Sequence, residues 1–248
     1  MAFPSTGRKY PQAVPVATGN SLIFTAASSQ YLSATGKTNI NQQKFTFATW
    51  FKTSTASAQA FYYSGDGSGN NEVSARIQGS GSILLVGNTS GGTVLDLLTN
   101  SAYNDGNWHS LVVSVDTTQA TNTNRAILYV DGSAATLSGP TYPSQNTNLS
   151  NNYADTYFVG QDIINSYFNG KMAQVYYVDG QQLTPSSFIT GMPGVPKTYS
   201  GTYTGHFDFF LPFSNGASTT TLGADSSGES NNWTLVNMTT ANQTTDFP

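Results

Sequence analysis

The chain has 248 residues, enough for one large sandwich or for a domain with an appendage, and only 9% of them are charged, against roughly 25% in ordinary soluble domains. Nine Lys and Arg against thirteen Asp and Glu, a formal net charge of −4, exclude the concentrated basic footprint of a nucleic-acid binder, and zero cysteines exclude disulfides, thiol catalysis and thiolate metal sites. Apolar runs fall far short of a bilayer span and no apolar h-region follows Arg8 and Lys9, so neither membrane insertion nor a secretory signal is expected.

Residues 1–19 carry Pro4, Pro11 and Pro15 with little periodicity, which reads as an N-terminal arm. Short strands then follow at Leu22-Phe24, Gln30-Leu32 and Lys44-Phe51. In the last of these Phe45, Phe47 and Phe51 alternate with Thr46, Ala48 and Trp50, so both faces are expected to be buried. Ala60-Tyr63, Val73-Ile77, Ser82-Val86 and Val94-Leu98 come next, each bounded by Gly or Asn clusters, as in an all-β sandwich or barrel. Trp108-Asp116 alternates with His109, Leu111, Val113 and Val115 on one face, and it is expected to pair antiparallel with Ala126-Val130. The second strand runs into Asp131-Gly132, a dipeptide that accepts the positive φ angles of a tight hairpin turn. The wording Tyr-Val-Asp-Gly recurs at residues 177–180 and predicts a second strand ended by the same turn.

Farther along, a late hairpin is expected between Tyr157-Gly160 and Gly170-Val178. The one helical candidate is a turn or two at Pro185–Thr190, with Thr184 as N-cap and Pro185 at the first helical position. A Pro- and Gly-rich stretch at residues 191–196 then closes the main body. Tyr203-Phe213 is again strand-like, and the polar remainder is either a return across the sandwich or an interaction arm.

Four pieces in order resemble the laminin-G-like, concanavalin-A-type jelly roll: Phe45-Phe51, then Asp105-Gly-Asn-Trp-His-Ser-Leu-Val-Val113, then Leu128-Gly132, then Tyr167-Val175, followed by the Leu183-Ser186 turn. The resemblance spans roughly residues 20–190 and implies an all-β, two-sheet antiparallel sandwich with the arm at 1–19 and a C-terminal extension at 191–248. Within that extension, Phe209-Ser214 and Leu222-Thr234 resemble a segment attached to such domains in bacteriophage structural proteins.

Reaction chemistry is thinly supplied. His109 and His206 are the two histidines, and each sits in an apolar or aromatic run that reads as packing. Glu72 and Glu229 are the two glutamates; neither belongs to the paired-carboxylate strand motif of jelly-roll glycosidases, and both are expected to be solvated. A cleft bringing His109 or Glu72 against an acidic partner would overturn the non-enzymatic reading. Relatives of the fold often carry calcium at one rim. The loops around Asp66 and Asp162 are the candidate positions for such a structural ion, although turn chemistry explains the same residues. For a sugar, Tyr153, Tyr157 and Tyr167 with Asn169 offer ring faces and an amide; tyrosine is equally at home on sheet faces and interfaces.

These readings converge on a non-enzymatic virion structural protein of a bacteriophage. It is expected at the particle surface as a capsid decoration or fibre-like module, with other virion proteins and further copies of itself as partners and a cell-surface glycan as ligand. The alternative is a stand-alone carbohydrate-binding lectin, or an accessory binding module of a polysaccharide-degrading enzyme.

Overall fold

A computed structural model describes residues 19–36, 40–151, 156–191 and 194–248. Almost all of the arm expected at 1–19, and Tyr153 among the site candidates, lie outside the described residues.

Two antiparallel sheets of eight strands each stack face to face. Across the first run Ser133–Ala134, Ala126–Val130, Trp108–Asp116, Lys44–Lys52, Gly170–Asp179, Ser21–Phe24 and Gln243–Thr244, with Phe209–Leu211 also paired to Gly170–Asp179. Across the second run Leu137–Thr141, Gly92–Ala102, Ser82–Thr89, Glu72–Ile77, Gln59–Gly65, Thr156–Val159, Tyr31–Ala34 and Thr234–Val236. This is the jelly-roll sandwich expected from the alternating patterns.

Side-chain period sets the layers. From Lys44–Lys52 the rings of Phe45, Phe47 and Phe51 enter the core between the sheets, where they meet Leu111, Val113, Met172, Val175 and Tyr177. Ala48 and Trp50 point the other way, into a second apolar cluster with Val112, Tyr176, Phe188 and Phe210. That strand is therefore buried on both faces, because Phe188, Ile189 and Phe210 cover the outside of the first sheet. Trp108–Asp116 and Ala126–Val130 pair antiparallel with Val113 opposite Leu128, and the turn behind them uses positive φ at Asp131 (50°) and Gly132 (79°).

Three local expectations fail. Thr156–Val159 and Gly170–Asp179 do not form a hairpin: the first lies in the second sheet between Gln59–Gly65 and Tyr31–Ala34, and the second lies in the first sheet beside Lys44–Lys52. Their inward residues, Tyr157 and Val159 against Met172, Val175 and Tyr177, belong to one core cluster, so the connection is an arch between layers. Asp179-Gly180 does not repeat the 131–132 turn. Only Gly180 takes positive φ (74°), Asp179 stays in its strand, and its buried carboxylate accepts backbone N–H bonds from Asn41 (2.8 Å) and His206 (3.2 Å). The helical candidate shrinks to one 3-10 turn at Pro185–Ser187, whose Thr184 hydroxyl makes no cap; a short strand, Ile189–Thr190, follows at once.

Beyond residue 200 the chain contributes to both sheets. Phe207, Phe209, Leu211, Phe213, Leu222 and Trp233 join the central core, and Thr234–Val236 and Gln243–Thr244 become edge strands. A four-residue helix, Thr219–Leu222, precedes both of these edge strands, with a capping box on Ser218.

Candidate functional site

One row of residues crosses three adjacent strands at the same end of the first sheet. Trp108 lies opposite Lys52, and Lys52 lies opposite Lys171. All three converge on the carboxylate of Asp246: the Trp108 indole N–H donates to Oδ1 (3.0 Å), and the Lys52 and Lys171 ammoniums both reach Oδ2. Lys52 also lies 6.0 Å from the centroid of the Trp108 ring. Although burial opposes it, hydrogen bonds from Lys171, Trp108 and Lys52 hold the Asp246 carboxyl down at about 2.

A cleft opens on each side of this row. One, about 330 Å³, is lined by Lys52, Lys171, Thr53, Ser54, Thr55 and Asn169 together with Phe24 and two glycines. Its floor depends on Gly170, whose φ is 154° and where any Cβ would collide with the Lys52 carbonyl. Asn169 fixes one wall: its amide donates to Thr55 Oγ1 (2.8 Å), its carbonyl accepts from Thr53 Oγ1 (2.7 Å), and its own N–H donates to Gln59 Oε1 (2.7 Å). The other cleft, about 270 Å³, is walled by Trp50, Trp108, His109, Asp131 and Phe247. Together the clefts present what a polyol recognises, indole rings for its C–H faces and hydroxyl, ammonium and carboxylate groups for its O–H edges.

The sequence-derived candidates do not assemble. Tyr157 is fully buried in the core and offers no ring face to solvent. Tyr167 is half-buried near Tyr31 (centroids 6.1 Å) and donates to Asn165 Oδ1 (3.1 Å), whereas Asn169 lies at the rim cleft. Lys52, Lys171, Trp108 and Asp246 were missed, because the pattern that joins them is cross-strand register.

The two calcium candidates are occupied by protein donors. Asp66 accepts from Ser68 N–H (2.9 Å), Ser68 Oγ (2.7 Å) and Asn71 Nδ2 (2.9 Å). Asp162, fully buried, accepts from the N–H groups of Ile164 (3.0 Å) and Ser166 (2.9 Å) and faces Arg76 Nε at 3.3 Å. Among the described residues no three acidic or histidine side chains gather for a metal. Asp66 is hydrogen-bonded at both oxygens, and the Asp162 oxygen left without a hydrogen bond faces a guanidinium, so neither carboxylate stands among the further oxygen ligands of a calcium shell.

Both groups read as inert from sequence have acidic neighbours, and His109 meets Asp131 within the 270 Å³ cleft, so the sequence argument for a non-enzymatic chain is overturned at this position. His109 is held between two carboxylates, Nδ1 to Asp131 Oδ2 (2.7 Å) and Nε2 to Asp105 Oδ1 (3.1 Å). Burial alone would push its pKa down, but Asp131 and then Asp105 outweigh it and hold the imidazole above its ordinary value. A ring with both nitrogens engaged by carboxylates has no free nitrogen to take a proton from a substrate, and among the described residues no hydroxyl hydrogen-bonds to it. Glu72 is buried, contrary to the solvated position expected. It pairs with Arg76 (3.0 Å) and accepts from Asn88 (3.1 Å). Arg76 thus lies between Glu72 and Asp162.

The sequence pattern of the concanavalin A-like lectin/glucanases superfamily, in its laminin G form, matches residues 26–187. No curated protein matches the chain in sequence. Among solved structures, a candidate carbohydrate-binding protein from Bacteroides ovatus superposes with a TM-score of 0.65 at 16% identity, over 94% of this chain and 61% of that one. The chain therefore spans about three-fifths of that protein's length. The heptameric SAP-like pentraxin of Limulus polyphemus gives 0.52 at 13% identity, over 80% of this chain and 93% of its own. Domains LG4-5 of the mouse laminin alpha1 chain give 0.50 at 15%, over 76% and 50%. At such identities the likeness is one of fold.

Proposed function

Because the chain belongs to the concanavalin A-like lectin/glucanase superfamily, we propose that it is a carbohydrate-binding, lectin-like module whose ligand lies along the Trp108–Lys52–Lys171 row. The observation that carries this reading is the pair of clefts: an indole-walled one and a hydroxyl- and amide-lined one meet at a single row on rigid strands. Carbohydrate binding, the property named for the Bacteroides ovatus protein, agrees with it. So does a surface poor in charge, which gives many hydrogen-bonding groups and few ions to desolvate. The binding reading is favoured over catalysis by the clamped state of His109 and the Arg76-bridged state of Glu72.

Titration calorimetry against a panel of oligosaccharides tests it. Replacing Trp108 by Ala should weaken the best ligand about tenfold, with the far-ultraviolet circular dichroism and the cooperative melt retained. An unaltered Kd removes the clefts from the mechanism.

The setting we propose is the surface of a bacteriophage particle, with other virion proteins and further copies of the chain as partners. Its support is the resemblance of residues 209–234 to extensions of phage structural chains. Several copies per particle would convert weak sugar contacts into lasting attachment by effective concentration. Deleting residues 1–19 should then abolish incorporation into purified particles, and undiminished incorporation speaks against the docking role of that arm.

A further inference from the structure

We propose that the 330 Å³ cleft is an acid-selective subsite that takes a carboxylated sugar, with the sugar carboxylate against the Lys52 and Lys171 ammoniums. The inference rests on the carbohydrate reading above and narrows it to a ligand class. It begins from a scarcity: the chain has nine Lys and Arg and a net charge of −4, yet two of the lysines stand directly opposite one another on neighbouring strands. Like charges at paired positions repel, so the arrangement calls for an anion between them.

Asp246 supplies one carboxylate and demonstrates the recognition, two ammoniums and an indole N–H closing on a single carboxylate group. It does not exhaust the site. Two ammoniums and one carboxylate leave one positive charge, each ammonium carries three donors, and the two lysine side chains remain 34% and 28% exposed. Both line the cleft, and no Asp or Glu does. Its remaining polar wall is neutral, Thr53, Ser54, Thr55 and Asn169, suited to sugar hydroxyls. A bare inorganic anion would leave that wall unused.

The experiment compares an oligogalacturonate with its carboxyl-reduced, neutral counterpart by titration calorimetry, with inorganic sulfate as a third ligand. The acidic sugar should bind at least tenfold tighter than the neutral one at low salt, and the advantage should shrink as sodium chloride is added. Lys52→Gln with Lys171→Gln should erase the advantage of the acidic sugar over the neutral one, whereas the corresponding Arg replacements should retain it. Lys171→Gln alone leaves Lys52 to hold Asp246 and gives the same readout if the double variant does not fold. Equal affinity for the two sugars, an advantage that survives loss of the lysines, or sulfate binding as tightly as the acidic sugar overturns this inference and leaves the carbohydrate reading standing. Binding of neither sugar, nor of any in the wider panel, overturns both.

Discussion

With a carboxylate on each ring nitrogen, His109 keeps its proton past the point where a free imidazole would release it. An NMR titration of its ring should therefore give a midpoint above the ordinary value of 6.5, and Asp131→Asn should lower it. A midpoint below 6.5 in the parent chain would contradict the clamp. Gly170 is the second residue with a sharp expectation. Gly170→Ala drives a methyl group into the Lys52 carbonyl at a φ that L residues avoid, so it should cost about 2 kcal/mol or more, read from the midpoint of urea unfolding. Neither effect follows from composition. The sequence places His109 on the same strand face as Leu111 and Val113, and the structure keeps it there, but its partners Asp105 and Asp131 arrive from a turn and a hairpin whose relative position depends on pairing. Glu72 was misread because Arg76, four residues along its own strand, and Asn88, opposite it on the next strand, both turn onto its carboxylate.

Strands were the legible elements, above all where β-branched and aromatic residues alternate, as in Lys44–Lys52 and Trp108–Asp116. What stayed hidden was partnership. Tyr157-Gly160 and Gly170-Val178 are close in sequence, and proximity argued for a hairpin; the shared core between their inward faces placed them in opposite sheets. The candidate clefts were illegible because Lys52, Trp108, Lys171 and Asp246 come from four separate stretches. The polar, glycine-rich look of the last fifty residues likewise conceals seven large apolar side chains in the central core. At about 2 kcal/mol for each buried side chain, these contribute on the order of 10 kcal/mol, comparable to the whole stability of a domain. A chain truncated after residue 200 should accordingly lose near-ultraviolet circular dichroism and bind a hydrophobic dye. A cooperative melt at the parent temperature would show the extension to be dispensable.

Over the whole molecule the titrating groups pull stability in opposite directions with pH. Asp105, through its hydrogen bonds from Asn107, and Asp246, through its lysines, have pKa values held at about 2, below the ordinary 3.8. Their contributions are present above 3.8 and disappear as the pH falls toward 2. Asp208 behaves oppositely: burial, with the neighbouring Asp179 adding, pushes it up to about 6, against N–H bonds from Asp179 and Gly205. Its contribution is full below 3.8 and is lost as the pH rises through about 6, and that of His109 is lost above 6.5. Melting temperature should peak at about pH 4 to 5 and decline on either side; a maximum at pH 8 would refute the assignment. The first sheet also imposes an order in time. During synthesis Ser21–Phe24 leaves the ribosome long before Gln243–Thr244, and the Ser21 hydroxyl waits 225 positions for the Asp246 carbonyl it bonds. Pairings so distant along the chain form slowly, so a nascent polypeptide carries an unfinished sheet margin until translation has passed that point, and a chaperone that shields exposed strand margins would find its client there.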